Sequence, residues 1–232
     1  AFVVTIATLT LVTAALAATS KGTASDTLVF GASADPVSLD PAVISDGESL
    51  RATLQIYDTL VSQVPGTTKL TAGLAVGWKQ SNGGLAWTFK LRKNVRFHDG
   101  TPFDARAVCA NFDRWYNFRG ALQSDAASYY YNVVFGGFAH PEKGANGPAK
   151  ALYRSCTPNN AAATATIRLK RRFAPFVGAM TLGPFAIQSP TAMAKYGADK
   201  GKLTADGVFV PLGTYGAPGG QAVGTGPFKL SS

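Results

Sequence analysis

Along the chain, the spacing of apolar and polar positions changes several times, and each change marks an element. Residues 27–33 (TLVFGAS) are a short β-prone run ending in a Pro- and Asp-rich loop, 34–41, which predicts a strand delivering an ordered loop. Ser45 stands three residues before Glu48, a capping-box spacing. Leu50, Leu54, Tyr57 and Val61 then recur at helical intervals, predicting a helix from about Asp46 to Val61. Trp78–Ser81 and Leu85–Arg92 flank Asn82-Gly83-Gly84, and Trp87, Phe89 and Leu91 alternate with polar neighbours, so a β-hairpin with one buried face is expected. After the Asp99-Gly100 turn, Asp104 fits as the cap of a helix reaching about Asn117. Phe103 and Val108 are placed to staple its first turn.

The pattern weakens beyond Arg119. Ala126–Phe135 reads as a helix, while Gly136-Gly137 and the stretch from His140 to Pro148 read as loop. Ala165, Ile167 and Leu169 alternate as a strand, Pro175–Leu182 suggests a short helix, and Phe185–Gln188 another strand. Ser189-Pro190 opens a helix through about Tyr196, with Ser as cap and Pro in the first turn. A Gly-rich connection from Gly197 to Gln221 then leads to VGTGPFKL (223–230), read as the beginning of a new strand.

Composition narrows what such elements build. In 232 residues, 46% are hydrophobic, enough for one large or two small cores and against disorder throughout. The formal charge of +9 raises the possibility of a polyanion partner. Against it, the one dense basic cluster is Lys170-Arg171-Arg172, and no basic run is interleaved with stacking aromatics. A solvated, mildly basic surface and no nucleic-acid partner are therefore expected.

The first residues bear on compartment. Phe2–Leu16 is apolar or Thr throughout and leads into Ala15-Leu16-Ala17, a small-x-small cleavage pattern, so residues 1–17 are read as a signal peptide and 18–26 as a polar linker. A transmembrane span is the rival reading, but the run is at the short end of the roughly 20 residues a bilayer needs. Neither Met nor a basic segment precedes the run, which suggests a reading frame that starts further upstream. No Cys follows it as a lipid acceptor, so a soluble exported chain is expected. Cys109 and Cys156 are an even pair, which in an exported chain suggests a disulfide; two separately buried thiols are the alternative.

Four segments in order, GASADPVSLDP, LQIYDTLV, WTFKLRKNVRFHDGTPFDARAV and VGTGPFKL, resemble extracellular solute-binding protein family 5, which serves oligopeptide, dipeptide and nickel importers. The resemblance implies a mixed α/β (α+β) chain: the first lobe of a two-lobed, class II periplasmic-binding-protein fold, carrying an inserted subdomain, with the second lobe missing. It divides the chain into 27–50 as the first segment of lobe I, 51–200 as the inserted subdomain with flanking parts of that lobe, and 201–232 as the return toward the hinge. It also implies an ABC-importer component that captures peptides or another small solute for a membrane permease, as a periplasmic or extracellular monomer without cofactor. Ser33, Ala34 and Asp35 would face the ligand cleft, and Gly224, Thr225 and Gly226 would make the crossing near the hinge. Rival readings stay open: Asp35 and Asp40 as turn caps, and Gly224 and Gly226 as plain strand-entry glycines.

Catalytic readings find little support. His98-Asp99 has only His140 as a further histidine for a two-metal hydrolytic site, no Gly-x-Ser-x-Gly elbow is present, and Gly224-Thr225-Gly226 lacks the third glycine of a dinucleotide loop. No catalytic or metal-ligating residue is assigned. A secreted interaction or adhesion protein that keeps the fold without transport is the alternative function.

Overall fold

Asp46, not Ser45, caps the first helix: its carboxylate accepts the Ser49 N–H, and α1 runs Gly47–Ile56. The computed structural model describes residues 29–217 and 219–231. The expected signal peptide and linker therefore lie outside the described residues. α1 ends five residues earlier than the periodicity predicts, because Tyr57 turns extended and Val61 opens a strand, β1 (Val61–Gln63), paired with β2 (Leu70–Ala72). Leu54 is half-exposed rather than core-facing.

The hairpin forms as expected from β3 (Ala75–Ser81) and β4 (Ala86–Leu91), and it extends into a four-stranded antiparallel sheet of order β3-β4-β6-β5. Strand β6 is Thr164–Leu169; β5, Tyr153–Asn159, is an element the sequence pattern did not show. It contains Pro158, which a sheet accommodates at an edge position such as this one. One face of the sheet carries Phe89, Leu91, Ala165, Ile167 and Leu169, each at most 2% exposed. Helix α2 (Ala105–Tyr116) packs on that face, capped by Asp104, whose side chain accepts the Ala107 N–H, with Phe103 and Val108 both buried as a staple requires. Phe112, Trp115, Phe135, Tyr153 and Phe176 form a continuous aromatic core, with Phe112 stacked on Tyr153 and the other pairs edge-on or tilted. A disulfide joins Cys109 on α2 to Cys156 on β5, with Cα atoms 5.2 Å apart, so the edge strand is fastened to the helix that covers it. On the chain-entropy model this closure contributes about 4 kcal/mol.

Helix α3 (Asp125–Val134) is capped by Ser124, α4 is a single turn (Phe176–Ala179), and α5 (Pro190–Lys195) is capped by Ser189 with Pro at its first position. The Gly-rich connection holds a small hairpin, β7 (Gly201–Leu203) with β8 (Phe209–Pro211). Three expected strands are absent. Of the expected strand 27–33, residues 27 and 28 lie outside the described residues, and 29–33 carry no regular structure, with no strand among the described residues paired to them. Residues 223–231 likewise run without regular structure, held by single bonds to the end of α1, to His98 and to Ser189. Phe185–Gln188 is not a strand because Pro184 sets a 3₁₀ turn over Gly183–Phe185, after which Ile187 N–H makes one bond to Asp58 C=O.

Candidate functional site

The loop expected to face a ligand leaves Ser33, Ala34 and Asp35 exposed. Two bonds to the start of α1 hold it: Ser33 Oγ donates to Glu48 Oε1 at 2.7 Å, and Ser49 Oγ accepts the Val37 N–H at 2.9 Å. Asp40 plays a different part. It is buried, caps the 3₁₀ turn Pro41–Val43 by accepting the Ala42 N–H, and pairs with Arg114. Of the two acids in this loop, Asp40 is structural and Asp35 presents its carboxylate outward.

Arg114 is the fastening point that the apolar periodicity of α2 concealed. Its Nη2 lies 2.6 Å from Asp40 Oδ2 and its Nε 2.7 Å from Asp199 Oδ1, and it also donates to Ala198 C=O. Burial opposes the guanidinium charge, but Asp40 and Asp199 outweigh it and hold the proton more tightly than usual. Beside this pair, Tyr57 and Tyr215 share a hydroxyl contact of 3.1 Å, and burial raises both phenols above their ordinary range. A single cluster therefore joins the 33–41 loop, α2 and the segments at 198–199 and 215.

The second expected set, Gly224-Thr225-Gly226, crosses the end of α1 at very short range. Gly226 N–H donates to Ile56 C=O at 2.9 Å, and Thr225 Oγ1 donates to Asp58 Oδ2 at 2.8 Å. A Cβ on Gly226 would stand 2.7 Å from Gln55 O, and one on Gly224 would overlap Ile56 O and the Tyr57 ring. These glycines serve close approach rather than an unusual dihedral or strand entry. From the other side, His98 clasps the same segment: its backbone N–H donates to Gly224 C=O at 2.9 Å and its Nε2 lies 2.8 Å from Gly226 O. The histidine rejected as a metal ligand is thus a positioning residue for the crossing. Gly224→Ala should lose about 1–3 kcal/mol of stability, because backbone rather than a movable side chain must yield. A urea midpoint equal to that of the unsubstituted chain would contradict this packing.

Asp99 stiffens the same turn. Its Oδ2 accepts Ser189 Oγ at 2.6 Å, and its Oδ1 accepts the Thr101 N–H and hydroxyl at 2.9 and 2.6 Å. Partial burial pushes this carboxyl up, yet the bonds from Ser189 and Thr101 outweigh it and hold the group below its ordinary 3.8. A depressed folded-state value means that the bonds stabilise above the unfolded pKa and that this is lost as pH falls through the folded one. Asp99→Asn should therefore be less stable than the unsubstituted chain at neutral pH, with the difference closing below pH 3.8. Denaturation midpoints at several pH values test this, and a difference independent of pH would overturn it.

The two expected sets do not meet. The 33–35 loop is tied to the first turn of α1 and the glycine crossing to its last, roughly 12 Å apart along the axis at 1.5 Å per residue. Thr225 does border a polar hollow of about 370 Å³ with Asp58, Ser62 and Arg92. A larger solvent-open hollow of about 780 Å³ lies beside α3 and contains none of the expected residues. Its polar groups largely satisfy one another, as where Asn132 Nδ2 donates to Asp125 Oδ1 and Gly120 N–H to Glu142 Oε1. Among the described residues, no group of three or more His, Cys, Asp or Glu side chains is placed to hold a metal ion.

Comparison with known proteins places this geometry. Residues 69–232 match the model for bacterial extracellular solute-binding proteins, family 5, middle region. The chain is 29% identical over 214 residues to the probable D,D-dipeptide-binding periplasmic protein of Escherichia coli K12, covering 89% of this chain and 34% of that protein. It is 30% identical over 198 residues to the glutathione-binding protein of Shigella flexneri, covering 84% and 30%. Among solved structures, the periplasmic binding protein DppA of Helicobacter pylori in complex with the peptide STSA superimposes with a TM-score of 0.61 at 30% identity, covering 86% of this chain and 35% of that one. The dipeptide-binding protein of Pseudoalteromonas sp. SM9913 in complex with Met-Leu gives 0.63 at 25% identity, covering 86% and 36%. The chain thus spans about a third of the length of the relatives it matches. With the family model covering most of the sequence and the mixed α/β fold following that of the solved relatives, the chain belongs to the bacterial extracellular solute-binding proteins of family 5.

Proposed function

We propose that the protein is the solute-capturing component of an ABC importer, taking peptides or similar small solutes outside the cytoplasmic membrane and passing them to a permease. The observation that carries this reading is the likeness, at 30% identity over 86% of the chain, to a periplasmic protein whose structure holds a four-residue peptide. In this reading the chain is exported, acts as a monomer without catalysis, and supplies one wall of a cleft whose other wall lies in the part of the relatives that it does not span. The exposed Asp35 on its anchored loop offers a carboxylate to a ligand amine or backbone N–H, and Ser33 and Ala34 offer backbone groups for an extended peptide. The crossing at Gly224–Gly226, clasped by His98 and α1, is the rigid end from which a second lobe would swing, so that ligand favours the closed form by touching both walls.

Native mass spectrometry of the exported protein, at the length of its relatives and purified without denaturant, tests the reading. Small solutes of peptide mass should be retained, and a di- to pentapeptide mixture should raise the melting temperature. No retained solute and no shift with any peptide would count against it.

A further inference from the structure

The basic residues look scattered in the sequence but are not scattered in the fold. Residues 59–98 contain six Lys and Arg and no Asp or Glu, and residues 143–198 contain eight and none. Fourteen of the 22 basic residues, and none of the 13 acidic ones, therefore lie in the two stretches that supply all four strands of the main sheet. The strand register separates the faces. Lys79, Thr88, Thr166 and Thr157 form one row across β3, β4, β6 and β5; Lys90 and Arg168 stand in the rows on either side. Residues paired across strands, or two apart along one, share a face, so these side chains all lie opposite the face that α2 covers.

That outer face is open and its charge is uncompensated. Lys79, Lys90 and Arg168 are exposed. Lys90 Nζ donates to Ala162 C=O and Arg168 Nη1 to Thr157 Oγ1, both neutral, and Thr88 and Thr166 share a hydroxyl contact of 2.9 Å. Among the described residues, the ion pairs to carboxylates involve Arg51 and Arg114, not these three. Asp104 and Asp113, at α2 on the covered side, accept from Asn160 and from Tyr153. The aromatic strand residues Trp78, Trp87 and Phe89 alternate onto the covered face, leaving the basic one without platforms for stacking bases.

We propose that the outer face of this sheet is a docking surface for the anionic headgroups of a phospholipid bilayer, holding the protein at the membrane surface by charge. A broad face of Lys, Arg and Thr, with cationic groups within about 15 Å of one another by strand spacing, suits an extended array of phosphate groups. Without an inserting aromatic, the association is superficial and salt-sensitive. The inference does not depend on solute capture: it concerns the sheet, not the cleft.

Co-sedimentation with vesicles of equal parts phosphatidylglycerol and phosphatidylcholine tests it. The protein should bind these vesicles at low salt, bind phosphatidylcholine vesicles far less, and be released as salt is raised. The triple variant Lys79→Thr, Lys90→Thr, Arg168→Thr should bind about 100-fold more weakly, at roughly fivefold per basic residue at an anionic surface. A charge-matched control, Lys200→Thr, Lys202→Thr, Lys229→Thr, should stay within about twofold, because none of these residues belongs to the four-stranded sheet. Circular dichroism confirms that both variants fold. Equal loss in both would show that net charge alone acts, and tighter binding to a DNA oligonucleotide than to the anionic vesicles at the same salt would assign the face to nucleic acid. Either result overturns the proposal.

Discussion

Replacing Arg114 by methionine should destabilise the chain by about 3–5 kcal/mol, the largest single-residue effect expected in this fold. The side chain is almost wholly buried, and its removal leaves Asp40 at 1% exposure with neither charge partner nor bidentate donor. Exposed pairs behave differently, contributing about 0–1 kcal/mol, so Arg51 with Glu48 serves as an internal contrast. The double variant Asp40→Asn, Arg114→Met should recover part of the loss, because the penalty comes from the charge left behind rather than from the attraction removed. Urea midpoints of the three chains decide. A loss below about 1 kcal/mol for Arg114→Met would mean that the pair is solvated and does not fasten the segments it touches.

What could be read from the sequence was local. The β3–β4 hairpin, the cap and staple of α2, and the Ser-Pro start of α5 depend on residues within a few positions of one another, and all three stand where the pattern placed them. Strand β5 escaped because Tyr153–Asn159 owes its conformation to pairing with β6 and to the bridge from Cys109, neither visible in its own alternation. At 27–33 and 223–230 β-prone residues predict strands, yet 29–33 and 223–230 carry none and no partner strand lies among the described residues. Propensity describes fit to a sheet, not the presence of one.

For the site, the glycines at 224 and 226 were legible and their reason was not. Only the fold shows them pressed on Ile56, with His98 closing over them. Arg114 offered a faint signal, a charged residue next to Trp115 on a helix whose buried side also holds Asn111. The segregation of charge onto one sheet required the strand register, since Lys79, Lys90 and Arg168 are up to 89 positions apart in the sequence.

In the proposed function, solute is held between two walls, of which this chain supplies one. A ligand on a single wall keeps much of its surface in water, lacks half its backbone hydrogen bonds, and still bears the association entropy of several kcal/mol. Titration calorimetry with one peptide that binds the protein at the length of its relatives, repeated on residues 27–232 alone, measures the difference directly. The short chain, folded by circular dichroism, should bind at least about 100-fold more weakly. Unchanged micromolar affinity in the short chain would contradict it.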